Sequence, residues 1–210
     1  MSTITAPVER VVVLHNVSWE TYERLLSEHQ DQSGTHFIYD EGELEIMVMS
    51  ARHEVPDRVL ASLVSILAEE LRIHILQIGS MTYKREDLQK GFEPDSAFYI
   101  AHAAEMRGKD PSEITPNSAP PADLIIEVDV TSESLPRFPI YAAFGVAEIW
   151  RHKNGHVSFF HLQEDQYVEI ASSVAFPLLT SEVATRFVED CTRFDFFDWT
   201  RHVREWARAQ

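Results

Sequence analysis

Leu124-Ile125-Ile126-Glu127-Val128-Asp129-Val130 is an apolar run of strand length into which two acids are set. The two-residue period of a strand puts Glu127 and Asp129 on one face and Leu124, Ile126, Val128 and Val130 on the other. Shortly after it, Pro136 opens and Gly145 closes a helical segment over 136–144, and Ala147-Glu148-Ile149-Trp150-Arg151 reads as a second strand. This strand, helix, strand unit predicts an α/β fold.

Toward the C-terminus, Lys153-Asn154-Gly155-His156 turns the chain between strands 148–152 and 157–162, and 167–170 adds a third, giving an antiparallel meander. Helices are expected over 181–190 and 194–209. Toward the N-terminus, after a loose start, Ser18 caps a helix over 19–28, and strands 35–40 and 43–49 flank the tight turn Glu41-Gly42. From about Pro56 to Ile73, the residues Val59, Leu60, Leu63, Val64, Leu67 and Leu71 recur at helical spacing and predict the longest helix. Strand-like stretches at 75–79, 81–85 and 95–100 precede a short helix at 102–107 and a loop over 110–122 that contains four prolines. The whole reads as one domain over 1–210. Its mixed sheet is flanked by helices, its core lies at about 19–170, and a helical extension covers about 180–210.

The composition is that of a soluble globular protein, 44% hydrophobic and 25% charged, in 210 residues. No apolar run approaches the ~20 residues that span a bilayer, so no membrane association is expected. The opening Met1-Ser2-Thr3-Ile4-Thr5-Ala6-Pro7 lacks the pattern of a secretion signal, which points to the cytoplasm. Cys191 is the single cysteine and forms no intrachain disulfide. With 18 basic and 34 acidic residues the net charge of −16 repels nucleic acid as a whole. A nuclease would need a metal ion or a local basic strip to reverse that field. Lys84, Arg85 and Lys90 are the densest such strip before Asp95, but Glu86 and Asp87 lie among them, so their charges are expected to cancel in a solvated loop. In the last helix Phe194, Phe197 and Trp199 are expected to pack in the core or a dimer interface.

Asp95, in Gly91-Phe92-Glu93-Pro94-Asp95, starts a core-like strand, as Glu127 interrupts another. An ionised carboxylate taken out of water is costly unless a cation or good donors compensate it. Two such acids on neighbouring strands would suit a hard cation, which lowers the pKa of bound water and neutralises charge developing on a phosphate. Spacing alone equally suits a turn-forming Asp95 and a solvated Glu127.

Tyr39-Asp40-Glu41-Gly42-Glu43-Leu44 followed by His53-Glu54, Glu93-Pro94-Asp95, Glu127-Val128-Asp129-Val130-Thr131, and Tyr141-Ala142-Ala143-Phe144-Gly145-Val146-Ala147-Glu148-Ile149-Trp150-Arg151 together resemble the motifs of the Uma-type restriction endonucleases, a family of the PD-(D/E)XK nuclease superfamily. The resemblance runs from Trp19 to about Tyr167. It implies a restriction-endonuclease-like fold, Asp95 and Glu127 as ligands of Mg²⁺ or Mn²⁺ with the Val128 carbonyl as a third, and Glu43 and His53 as further members of the site. It also implies a DNA substrate, cut by hydrolysis, and a possible homodimer. The departure is at the basic residue. Where the superfamily has lysine two positions after the glutamate this chain has Asp129, and at the helix position where Uma-type members place lysine it has Arg137. Arginine keeps the charge and can clamp a phosphate but cannot transfer a proton. The alternatives are therefore a nuclease fold that binds without efficient chemistry and a phosphoesterase acting on small molecules.

Overall fold

The computed structural model of the protein describes residues 10–29, 34–110, 119–130 and 135–210. The chain forms β1 (Arg10–Leu14), α1 (Trp19–His29), the hairpin β2 (Thr35–Asp40) and β3 (Glu43–Val48), and the long helix α2 (Ala51–Leu71). Four short strands follow, β4 (Leu76–Gly79), β5 (Tyr83–Arg85), β6 (Lys90–Phe92) and β7 (Ser96–Tyr99), then the single-turn helix α3 (Ala103–Met106). The central unit is β8 (Leu124–Asp129), α4 (Arg137–Phe144) and β9 (Glu148–Lys153), and β10 (His156–Gln163), β11 (Gln166–Ile170), α5 (Ser181–Asp190) and α6 (Phe196–Arg208) complete it. Most of the proline-rich loop, 111–118, lies outside the described residues.

The fold is mixed α/β, as expected, but its strands divide between two sheets where one was expected. A smaller sheet runs β1-β3-β2-β6-β5 and a larger one β11-β10-β9-β8-β7-β4. The division falls at Glu93-Pro94. Proline has no N–H to give a ladder, so the strand ending at Phe92 stops there and the chain crosses to start β7 in the other sheet. Glu93 secures the crossing by accepting hydrogen bonds from the Phe37 N–H (3.0 Å) and the Thr82 hydroxyl (2.5 Å). In the larger sheet β8 and β9 pair in parallel, from Leu124 opposite Glu148 to Asp129 opposite Lys153, with α4 as the crossover. Gly145, at φ 76°, ends that helix.

Every residue of β8 is buried, because layers cover both faces. Leu124 and Ile126 pack with Leu60, Val64 and Trp150, while Ile125 packs with Ile38 and Tyr141 on the side of the smaller sheet and α4. Phe187, Trp199 and Val203 of the last two helices belong to the first of these clusters. Along α6, Trp199, Val203 and Ala207 form the buried stripe, so Trp199 packs in the core as expected, whereas Phe197 and, just before the helix, Phe194 are exposed and lie outside the core.

Three other segments depart from expectation. Residues 10–14, taken as loose, are an antiparallel edge strand on β3, stabilised by a β-branched run that suits a pleated surface. The helix expected from Pro56 begins at Ala51, with Pro56 inside its second turn and the Ser50 carbonyl accepting from the N–H groups of His53 and Glu54. Residues 90–92, taken as loop, are β6, where a Cβ at Gly91 would collide with the Tyr22 hydroxyl laid over the sheet. The basic strip is neutralised, but only Arg85 pairs within it, with Asp87; Lys84 and Lys90, in strands and not in a loop, pair with Glu23 and with Asp40 and Glu41.

Buried Glu148 explains part of the Gly-Val-Ala-Glu-Ile-Trp run. Its Oε1 accepts from Trp150 Nε1 and its Oε2 from the Ala175 N–H, each at 2.8 Å, tying β9 to the segment before α5. Glu148→Ala would leave both donors unsatisfied, and urea unfolding is expected to show a loss of roughly 2–4 kcal/mol, with Glu148→Gln losing less.

Candidate active site at the junction of the two sheets

Asp95 sits where the chain has just left the smaller sheet. Since Ser96 pairs with Ile126 in antiparallel register, the next pair outward is Asp95 and Glu127. The Val128 N–H donates to Asp95 Oδ2 at 2.8 Å, which fixes the carboxylate beside β8. Glu127 and Asp129 share the β8 face opposite Leu124, Ile126 and Val128, as the period of two predicts. Facing them is the first turn of α4, with Arg137 and, one turn on, Tyr141.

Arg137 is buried among carboxylates. Its Nη1 donates to Glu127 Oε2 at 3.2 Å and lies 3.6 Å from Asp129 Oδ1, and its Nη2 donates to Glu45 Oε1 at 2.8 Å. Asp129 is neutralised from its other side by Arg151 Nε at 2.5 Å, with Lys153 at 3.9 Å. The guanidinium thus joins β3 of one sheet to β8 of the other.

Asp95 has different company. His53 Nε2, from the first turn of α2, lies 3.3 Å from Asp95 Oδ2, and His36 Nδ1, from β2, lies 3.5 Å from Asp95 Oδ1. Asp57, one turn after His53, is also buried, and its Oδ1 lacks a hydrogen-bond partner. These four side chains, with Arg58 and Ser80, line a cavity of about 330 Å³. Among the described residues no lysine or arginine stands in ion-pair range of Asp95.

The charges are strained accordingly. Burial, then the negative charge of Glu127, raises the Asp95 pKa well above the usual carboxylate range. Burial likewise raises Glu127 to about 7, against the opposing pull of Arg137. Burial lowers both His36 and His53 to about 4, with Arg137 adding to each, so both rings are neutral at pH 7. Although burial opposes it, the Arg137 charge is reinforced by Tyr141, Glu127, Glu45 and Asp129.

Of the residues expected from sequence, Asp95, Glu127, Arg137 and His53 therefore converge, and Val128 contributes its N–H. Glu43 does not join them. Its carboxylate meets His15 Nδ1 at 2.5 Å near the surface, and the hairpin acid in the cluster is Glu45. Sequence reasoning passed over Glu45, His36 and Asp57. The signals were there: Glu45 shares a strand face with buried Met47, His36 one with buried Ile38, and Asp57 follows His53 by one helical turn.

Among the described residues no three acidic, histidine or cysteine side chains are arranged to hold a metal ion as they stand. The chemistry of the Asp95–Glu127 pair nevertheless suits a hard cation. Glu127 Oε1 is buried with no partner at full hydrogen-bond distance, although the Tyr141 hydroxyl approaches the Glu127 carboxylate, and the charge of Glu127 resists the ionisation of Asp95, a conflict that a divalent ion would relieve.

A family model described as "Putative restriction endonuclease" (Uma2) matches residues 19–187. No curated protein matches the chain. A crystal structure from Anabaena variabilis, described as that of "a putative nuclease belonging to DUF820", is similar over 72% of this chain and 90% of its own, with 13% identity and a TM-score of 0.47. Among the described residues no helix is long and apolar enough to cross a membrane.

Glu127 gives a pH signature. A carboxyl raised from 4.5 to about 7 by folding favours the folded state fully below about 4.5, and that preference is lost as pH rises through about 7. The two histidines act in the opposite direction, favouring the folded state above 6.5 and losing that contribution as pH falls through about 4. Comparison with Glu127→Gln isolates the carboxyl. In EDTA, wild type is expected to lose about 1 kcal/mol relative to the variant between pH 6 and pH 8 in denaturant titrations.

Proposed function

The chain belongs to the Uma2 family, and we propose that it is a nuclease that hydrolyses DNA phosphodiester bonds with a divalent cation, Mg²⁺ or Mn²⁺, held by Asp95 and Glu127. The observation that supports this most strongly is the buried acid pair itself. Asp95, the residue before β7, is held beside β8 by the Val128 N–H, its ionisation is opposed by the charge of Glu127, and a cavity reaches it. The Val128 carbonyl is the proposed third donor. When bound, the cation would supply a water of lowered pKa and offset charge on the phosphate.

The chain's own groups then have separate tasks. The Val128 N–H keeps Asp95 Oδ2 oriented. His53 and His36, uncharged at pH 7, line the cavity beside Asp95 and bring no positive charge to it. The expectation that Arg137 clamps phosphate gives way to another role. Both terminal nitrogens of its guanidinium are taken by Glu45, Glu127 and Asp129, while Nε has no hydrogen-bond partner, so we assign the fork to orienting Glu127. Glu43, at the surface with His15, is left out of the chemistry.

A second reading is favoured by the charge of −16 and by the neutralised strip at Lys84, Arg85 and Lys90: a phosphoesterase for small substrates at the same centre. A panel of model phosphoesters with Mn²⁺ discriminates, since turnover there without plasmid cleavage would favour it.

Purified protein with Mg²⁺ or Mn²⁺ is expected to nick supercoiled plasmid, and Asp95→Ala and Glu127→Ala each to reduce nicking by about a hundredfold or more. Undiminished cleavage in both variants would sink the assignment. Because both carboxyls bind protons more tightly than usual, Mn²⁺ binding should release about one proton near pH 7 and tighten from pH 6 to pH 8. Calorimetry in buffers of different ionisation enthalpy measures that release.

A further inference from the structure

The guanidinium of Arg137 already does part of what a metal ion would do. It is 6% exposed, yet it reaches one carboxylate on β3 and two on β8, and Met47 Sδ lies 3.7 Å from its Nη2. Of the two oxygens of Glu127 it takes Oε2 and leaves Oε1 to no other cation, with the Tyr141 hydroxyl the neutral group nearby. Asp129 has Arg151 as a second cation, whereas Glu45 and Glu127 have Arg137 alone among the described residues. Buried carboxylates of separate sheets repel one another unless a cation stands between them. In the metal-free protein that cation is the arginine.

We propose that Arg137 is a resident counter-ion of the centre: it holds the acids of the two sheets together without metal, and it competes with a divalent cation for the charge of Glu127. Resting on the metal-site reading above, this makes Arg137 a positioning residue that sets how tightly the cation binds. Two effects of the side chain oppose each other. It orders the Glu127 carboxylate, which aids a metal, and it places a positive charge against the same carboxylate, which opposes one. The second prevails, because charge repulsion in a buried site exceeds the restriction of one side chain. Glu45 moderates the competition by drawing the guanidinium toward β3. Lysine, with a compact ammonium and no planar fork, cannot bridge Glu45 and Glu127 in the same manner.

The test is Mn²⁺ titration by calorimetry at pH 7.5, together with thermal unfolding in EDTA, on wild type, Arg137→Met, Arg137→Lys and Glu45→Gln. Arg137→Met is expected to melt several degrees lower in EDTA, to bind Mn²⁺ at least tenfold more tightly, and to gain more in melting temperature from Mn²⁺ than wild type does. Arg137→Lys should fall between them. Glu45→Gln should shift affinity the opposite way, weakening Mn²⁺ binding, as Arg137 turns more fully to Glu127; a merely structural role for Arg137 would not produce opposite signs. If Arg137→Met fails to fold in EDTA, refolding on addition of Mn²⁺ supports the proposal, and its absence together with unchanged affinity in Glu45→Gln overturns it. Affinity of Arg137→Met equal to or weaker than wild type also overturns it. Loss of Mn²⁺ binding in Asp95→Ala upholds the metal site whatever Arg137 does, so the two readings fail separately.

Discussion

One buried guanidinium between two sheets is the constraint on which the rest depends. At the 2.8–3.6 Å separations seen, each Arg137–carboxylate attraction is worth about 5 kcal/mol gross at an effective dielectric near 20. Removing four charged groups from water costs several kcal/mol each, so the net contribution to stability is small. What the arrangement secures is geometry. Apolar residues in these places would serve folding as well, but they could not bring Glu45 of one sheet and Glu127 of the other to one point.

The remaining structure supplies that point. β8 is covered on both faces, which is why its apolar residues are nearly continuous and why its two acids must find partners inside the protein. The parallel partner strand β9 brings Arg151 and Lys153 to Asp129, and the crossover helix between them delivers Arg137 and Tyr141 in its first turns. Neutral histidines complete the surroundings of Asp95, the carboxylate that receives no arginine. Negative charge is therefore compensated on one side of the centre and left uncompensated on the other. The uncompensated side is the one that opens to the cavity.

Much of this was legible in the sequence. Alternation in 124–130, the Pro136 and Gly145 helix boundaries and the Asn154-Gly155 turn are local signals, and local signals placed the elements of the larger sheet. The smaller sheet was harder to read. β1 and β6 are short and take their stability from neighbours distant in sequence, through pairings such as Tyr39 with Gly91, so the valine run of 10–14 is only a weak signal and nothing in 90–92 alone reveals a strand. The same limit applies to the site. Asp95 and Glu127 stood out because acids are rare in such strands, whereas Glu45 and Asp57 lie in polar-rich segments where an acid draws no notice, and only the packing of the smaller sheet on α4 buries Glu45. A helix that begins five residues before its proline likewise brought His53 inward through a turn the periodic pattern had excluded.

Asp95 Oδ2 accepts a backbone N–H that, in an uninterrupted sheet, would be bonded to a carbonyl of the neighbouring strand. Pro94 cuts that strand short, and the carboxylate fills the gap, so the centre is built on a lattice defect of the sheet. The mend is made with a carboxyl oxygen in place of a backbone carbonyl. The side chain that faces the cavity is thus also a structural tie to β8, and replacing Asp95 removes both at once.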